Sequence, residues 1–143
     1  MKRFLICLLG MLMLFSYVTI PAAAADDGIM PRYNNVIQTI TDFAISDSGV
    51  AMVTVSYDGI TGVTTGATIT TKIQKRTLGM IWTKVDIGTA NNEWVDSARL
   101  ADYSTFHSVT LPDTGTYRVV VEYVITGTGG ATDVIEDIRI AEY

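Results

Sequence analysis

The side chains able to do acid–base, nucleophilic or metal chemistry are few. The sequence holds one histidine, His107, one cysteine, Cys7, and 15 acidic residues. A histidine base needs a nucleophile and an orienting acid converging on it. Ser104 and Ser108 beside His107 read as ordinary strand-end residues, and the ring falls on the side of Val109 and Leu111, where a packed or half-exposed histidine is expected. One histidine cannot supply the three or four ligands of a zinc site. Calcium accepts carboxylates in flexible geometry, which makes Asp133, Glu136 and Asp137, together with Asp102, the acids to weigh. Asp133 and Glu136 would point to opposite faces of one strand, and solvated edge charge is the expectation for them. A glycosidase needs two carboxylates facing across a cleft, and short turns leave little cleft. No glycine-rich loop precedes a helix to hold phosphate. The expectation is no metal, no cofactor and no catalysis, with a small hydrolase around His107 as the distant alternative.

Aromatic residues are the better guide to binding. Trp82 falls on the more polar side of its segment with Met80, Lys84 and Asp86, while Trp94 and Tyr103 bracket an irregular stretch. Exposed rings can stack on sugars or anchor a protein partner. Trp82, Trp94 and Tyr103 are therefore the candidate binding residues. The competing reading packs Trp82 into a core and sets Trp94 at one end, because large aromatics bury most of their area.

These residues need a scaffold, and its start is marked. Lys2 and Arg3 are followed by an uncharged run, Phe4 to Ile20, then Pro21 and the small residues Ala22 to Ala25. That pattern predicts a secretory signal over residues 1–25, cut after Ala24 or Ala25. An uncleaved anchor is the rival, since the run approaches the roughly 18 residues that span a bilayer. Asp26-Asp27 after the alanines favours cleavage. Ile6 before Cys7 makes a poor lipoprotein site, so the cysteine leaves with the signal and residues 26–143 form no disulfide. Lys2 and Arg3 are two of the ten bases, and all 15 acids follow residue 25, so the mature net charge is 8 minus 15, or −7. That balance argues against nucleic acid and against a membrane partner after cleavage. The expected location is extracellular, and the expected partner an extracellular protein or glycan.

Valine, isoleucine and threonine dominate the mature chain, and only Leu78, Leu100 and Leu111 supply leucine. β-Branched residues fit a pleated surface and form helices poorly. Alternation and intervening turn residues predict strands at Ile37–Ile45, Val50–Tyr57, Thr68–Arg76, Met80–Ile87, Thr105–Leu111, Thr116–Thr126 and Ala131–Ala141. Ile60 to Gly66 reads as a loose segment, and Asn91 through Asp102 as a long loop or short helical turn. Ala51, Val53, Val55 and Tyr57 share one face, as do Ile69, Thr71 and Ile73, while Lys72, Gln74 and Arg76 face water. Contacts to a partner are expected from the irregular stretch, Gly88 to Tyr103, or by strand addition at an edge. Seven or eight short strands in one domain predict an all-β, immunoglobulin-like Greek-key sandwich.

One segment carries a local motif. Asp113-x-Gly115-x-Tyr117, leading into a valine-rich strand, resembles the tyrosine corner of immunoglobulin-like domains. That resemblance implies a Tyr117 hydroxyl folded back onto upstream backbone, and a buried Val119 where antibody domains carry a half-cystine. Leu111 to Gly115 also spells a sortase recognition sequence, but the residues after it include Arg118, Glu122, Asp133, Glu136 and Asp137 rather than an apolar span and basic tail. A turn is the expected role. The wider stretch, with Ile73-Gln74-Lys75, Trp82-Thr83-Lys84-Val85, Gly115 to Val119 and Gly129-Gly130, resembles small secreted domains of unknown function from Gram-positive bacteria. The resemblance implies a fold and no activity.

Overall fold

The computed structural model describes residues 32–143, which form one unit with its own core. The expected signal segment, residues 1–25, lies outside the described residues. Eight strands follow in order: β1 (Val36–Ile45), β2 (Val50–Gly59), β3 (Thr64–Thr77), β4 (Ile81–Lys84), β5 (Trp94–Ala98), β6 (Asp102–Thr110), β7 (Thr116–Gly127) and β8 (Asp133–Glu142). All pairings are antiparallel. One sheet runs β1-β2-β6; the other runs β4-β3-β7-β8, with β5 pairing beside β4 on the same edge of β3. The chain changes sheets between β2 and β3, between β5 and β6, and between β6 and β7. This is an immunoglobulin-like Greek-key β-sandwich without a disulfide.

The core is the alternation of three strands made physical. β2 contributes Ala51, Val53, Val55 and Tyr57, β3 contributes Ile69 and Ile73, and β7 contributes Tyr117, Val119, Val121, Tyr123 and Ile125, all buried. Each large side chain so buried contributes roughly 1.5–3 kcal/mol by leaving water. Thr71 sits among them, and its hydroxyl finds no hydrogen-bond partner among the described residues.

Three buried tyrosines tie this core to the chain around it. The Tyr117 hydroxyl donates to the Asp113 carbonyl at 2.6 Å, with Asp113 Oδ1 at 3.1 Å. Lys75 Nζ meets the same Oδ1 at 2.5 Å and lies 5.6 Å from the Tyr117 ring centre. The Lys75 hydrogen bond, helped by Tyr117, holds the Asp113 carboxyl below its usual range. Gly115 has φ +144°, a conformation side-chain-bearing residues avoid, and exchanges backbone hydrogen bonds with Tyr143. The corner expected from the motif is therefore present, with Val119 buried behind it. Tyr123 donates to the Ile40 carbonyl and pairs with Thr41 Oγ1, both at 2.8 Å, which joins β7 to β1 across the two sheets. Tyr57 donates to the Leu100 carbonyl at 2.8 Å.

Three expectations need correction. Trp94–Ala98 is a strand, not part of a loop; a 3₁₀ turn covers only Ala90–Asn92. Its inward positions are Trp94 and Asp96, so no apolar alternation announces it. β3 also begins at Thr64 rather than Thr68. Gly66 reads as a breaker but marks a close approach, since a Cβ there would lie 2.5 Å from the Ala98 carbonyl of β5. The segment after Gly79 is strand only over Ile81–Lys84, shorter than the expected Met80–Ile87.

Candidate functional site

Cross-strand register assembles a row of side chains on the outer face of the five-stranded sheet. Ile69, Thr71 and Ile73 of β3 face the core, so Lys72, Gln74 and Arg76 face out, as expected. Trp82 of β4 lies opposite Arg76, and Lys84 opposite Gln74. Gln74 is in turn opposite Arg118 of β7, and Arg118 opposite Ile140 of β8. Lys72, Val120 and Ile138 form the next row. The Arg118 guanidinium carbon sits 4.4 Å from the Trp82 ring centre, and its Nε donates to Gln74 Oε1 at 2.8 Å. Trp82 is half-buried beneath this contact rather than in the core.

A cation over an indole gains about 0.5–1 kcal/mol at an exposed site. The larger consequence is order, since the stack and the amide bond fix a long arginine side chain in one place. The η nitrogens of Arg118 make no hydrogen bond among the described residues, so they remain available to an outside acceptor. Nearby, Lys84 Nζ pairs with Glu93 Oε1 at 2.7 Å, which holds the Glu93 carboxyl below its usual range. Farther along the face the signs change, because Thr70 is followed across the sheet by Glu122 and Glu136. The face is cationic at its β4 end and anionic toward the other.

The three aromatic candidates are not brought together. Trp94 points inward from β5 and stacks on His107 of β6, with ring centres 4.8 Å apart and planes within 5°. His107 Nε2 lies 2.7 Å from Asp96 Oδ2, and both side chains are 16% exposed. This trio spans the two sheets at their β5–β6 margin. Tyr103 points inward from β6, its ring 6.3 Å from that of Tyr57. Both Trp94 and Tyr103 are half-buried and pack against the core, whereas Trp82 stands on the outer face.

A histidine held by an acid is two thirds of a nucleophile-activating relay. The third part, a hydroxyl bonded to the ring, is missing from the side-chain hydrogen bonds of the described residues, where His107 appears only with Asp96. The acids weighed for calcium are dispersed. Asp133 is buried and accepts from the backbone N–H groups of Asn34 and Asn35 at 2.9 and 2.7 Å. Asp102 accepts from the Gly59 N–H, and Asp137 pairs with Arg139. Among the described residues, no three His, Cys, Asp or Glu side chains gather as a metal site would require.

Depressions indent the surface among the described residues. One of about 310 Å³ lies on the outer face between Gly66, Thr68, Ser97, Arg99 and Val124. Another of about 420 Å³ lies under the β3–β4 hairpin between Lys75, Thr83, Val85, Pro112 and Asp113. Arg118 and Gln74 were not singled out as site residues from the sequence. The outward facing of Gln74 was legible from alternation, but the register that brings it and Arg118 to Trp82 was not. No helix among the described residues is long and apolar enough to cross a membrane. The sequence matches no protein-family model and no curated protein.

Proposed function

We propose that this chain is an exported, non-catalytic recognition module that engages an extracellular protein through the outer face of its five-stranded sheet. The observation that carries this is the ordered array of Trp82, Arg118 and Gln74, with Arg118 stacked at 4.4 Å and bonded at 2.8 Å. Tryptophan and arginine are enriched among the residues that dominate binding energy. Here they stand on paired strands, which hold them more firmly than loops do. The open η nitrogens favour a partner that presents a carboxylate beside an apolar surface, because arginine's planar fork matches that group. Export is supported by the charged start, apolar run and alanine tract of residues 1–25. In this reading the His107–Asp96 pair is a polar clasp between the sheets.

The test is capture from culture medium or cell surface with the chain beginning at Asp26, using Trp82→Ala and Arg118→Ala as controls. A partner retained by the unaltered chain and lost with either variant supports the proposal. A partner held equally by all three, or none in repeated trials, refutes it.

A second reading is favoured by the half-exposed Trp82 ring beside an amide and a guanidinium: a glycan platform. Tryptophan quenching by polysaccharides, measured in a Trp94→Phe background so that only Trp82 reports, would support it. A flat response across acidic and neutral polysaccharides would exclude it.

A further inference from the structure

The β3–β4 hairpin outruns the sandwich. Pairing of β3 with β7 ends at Lys75, whereas pairing with β4 continues through Arg76 and Thr77. The two strands turn at Leu78 and Gly79, with φ +50° and +75°. At this extremity Leu78 is 89% exposed, Met80 84% and Ile81 56%. Three neighbouring apolar side chains held in water at a projecting turn do nothing for the core.

What surrounds them is as ordered. Trp82 lies one residue behind the apolar tip, stacked under Arg118. From Lys72 to Lys84 the chain carries Lys72, Lys75, Arg76 and Lys84 and no acid, in a protein of formal net charge −5. Lys75 and Lys84 are paired with Asp113 and Glu93. Lys72, Arg76 and Arg118 have no carboxylate partner among the described residues. From the tip inward the order is aliphatic, indole, then cation. A membrane interface presents the matching layers of acyl chain, headgroup boundary and anionic phosphate.

We propose that the hairpin from Thr77 to Trp82 seats Leu78, Met80 and Ile81 in the headgroup region of an anionic lipid bilayer, with Arg76 against the lipid phosphates. The charge balance of the whole chain does not describe this end. The acidic remainder, Glu122 and Glu136 included, is repelled by the same surface and turns the domain tip-first toward it. The inference goes beyond the recognition proposal, because it names the surface on which the module rests and uses tip residues the partner face does not need.

The test is co-sedimentation of the chain beginning at Asp26 with vesicles of phosphatidylcholine alone or mixed with phosphatidylglycerol. Binding is expected to the mixed vesicles, weakened by added salt. The variant Leu78→Ser/Met80→Ser/Ile81→Ser should bind at least about tenfold more weakly, since it removes the apolar transfer. All three positions are exposed, so the variant's far-UV spectrum should match the parent's. Trp82 emission, read in a Trp94→Phe background, should shift to the blue on binding. Absence of binding to mixed vesicles, equal binding by the triple variant, or equal affinity for a soluble sulfated polysaccharide would overturn the proposal. Partner capture by the triple variant should persist, which separates failure of this inference from failure of the recognition reading.

Discussion

Replacing Tyr117 and Tyr123 by phenylalanine removes one oxygen from each of two buried rings, and the structure expects different costs. Phenylalanine fills the same core volume, so no cavity term enters. At Tyr117 the lost hydroxyl donates to the Asp113 carbonyl at 2.6 Å. Asp113 is exposed, so water can replace the donor. The loss should stay near the net worth of one hydrogen bond, about 1 kcal/mol. At Tyr123 the hydroxyl both donates to the Ile40 carbonyl and pairs with Thr41 Oγ1. Thr41 is 3% exposed, so its hydroxyl is left buried without a partner. An orphaned buried group adds about 1–3 kcal/mol, which brings Tyr123→Phe to about 2–4 kcal/mol. Urea denaturation of the chain beginning at Asp26, compared at a common slope, measures both. The two tyrosines share no hydrogen-bond partner, so the double variant should cost the sum. A Tyr117→Phe cost equal to or above that of Tyr123→Phe would refute the reasoning, as would a negligible cost for both.

Other consequences follow from the same interior. Burial is the largest cause raising Tyr57, Tyr117 and Tyr123 above the ordinary tyrosine range. Groups raised in the folded state contribute stability that is complete below about pH 10 and lost as pH rises through their folded values. Alkaline titration should therefore show part of the phenolate absorbance appearing cooperatively with loss of the far-UV signal; smooth ionisation of Tyr57, Tyr117 and Tyr123 in an intact fold would contradict it. Thr71→Val removes the orphaned core hydroxyl at nearly constant shape, and urea midpoints should show a gain of about 1 kcal/mol; a loss would mean the hydroxyl is satisfied. Asp133→Ala leaves the Asn34 and Asn35 N–H groups without their carboxylate, at a cost of about 3 kcal/mol. Unchanged stability there would show that β8 does not anchor the start of β1.

Legibility in the sequence tracked how local each signal was. The inward faces of β2 and β3 followed from alternation alone, because each strand is buried on one side by its neighbours across the sandwich. The tyrosine corner was legible because donor and acceptor lie four residues apart. β5 was hidden because its inward positions hold Trp94 and Asp96, whose partner His107 comes from another strand. Asp133 read as edge charge because the backbone that buries it lies 98 and 99 residues earlier. For the same reason Trp82 could be named as a candidate while its companions could not. Alternation says which side chains face out, but only the pairing of β3 with both β4 and β7 says that Arg118 stacks on this indole.

Site-specific photocrosslinking separates the two outer faces most directly. One probe replaces Ile140, which is opposite Arg118 on the five-stranded sheet and 62% exposed. The other replaces Phe106, which is 57% exposed on the three-stranded sheet. Irradiation in culture medium should join an extracellular protein to the chain at position 140 and leave position 106 bare. Capture from 106 with none from 140 would contradict the assignment of the binding face.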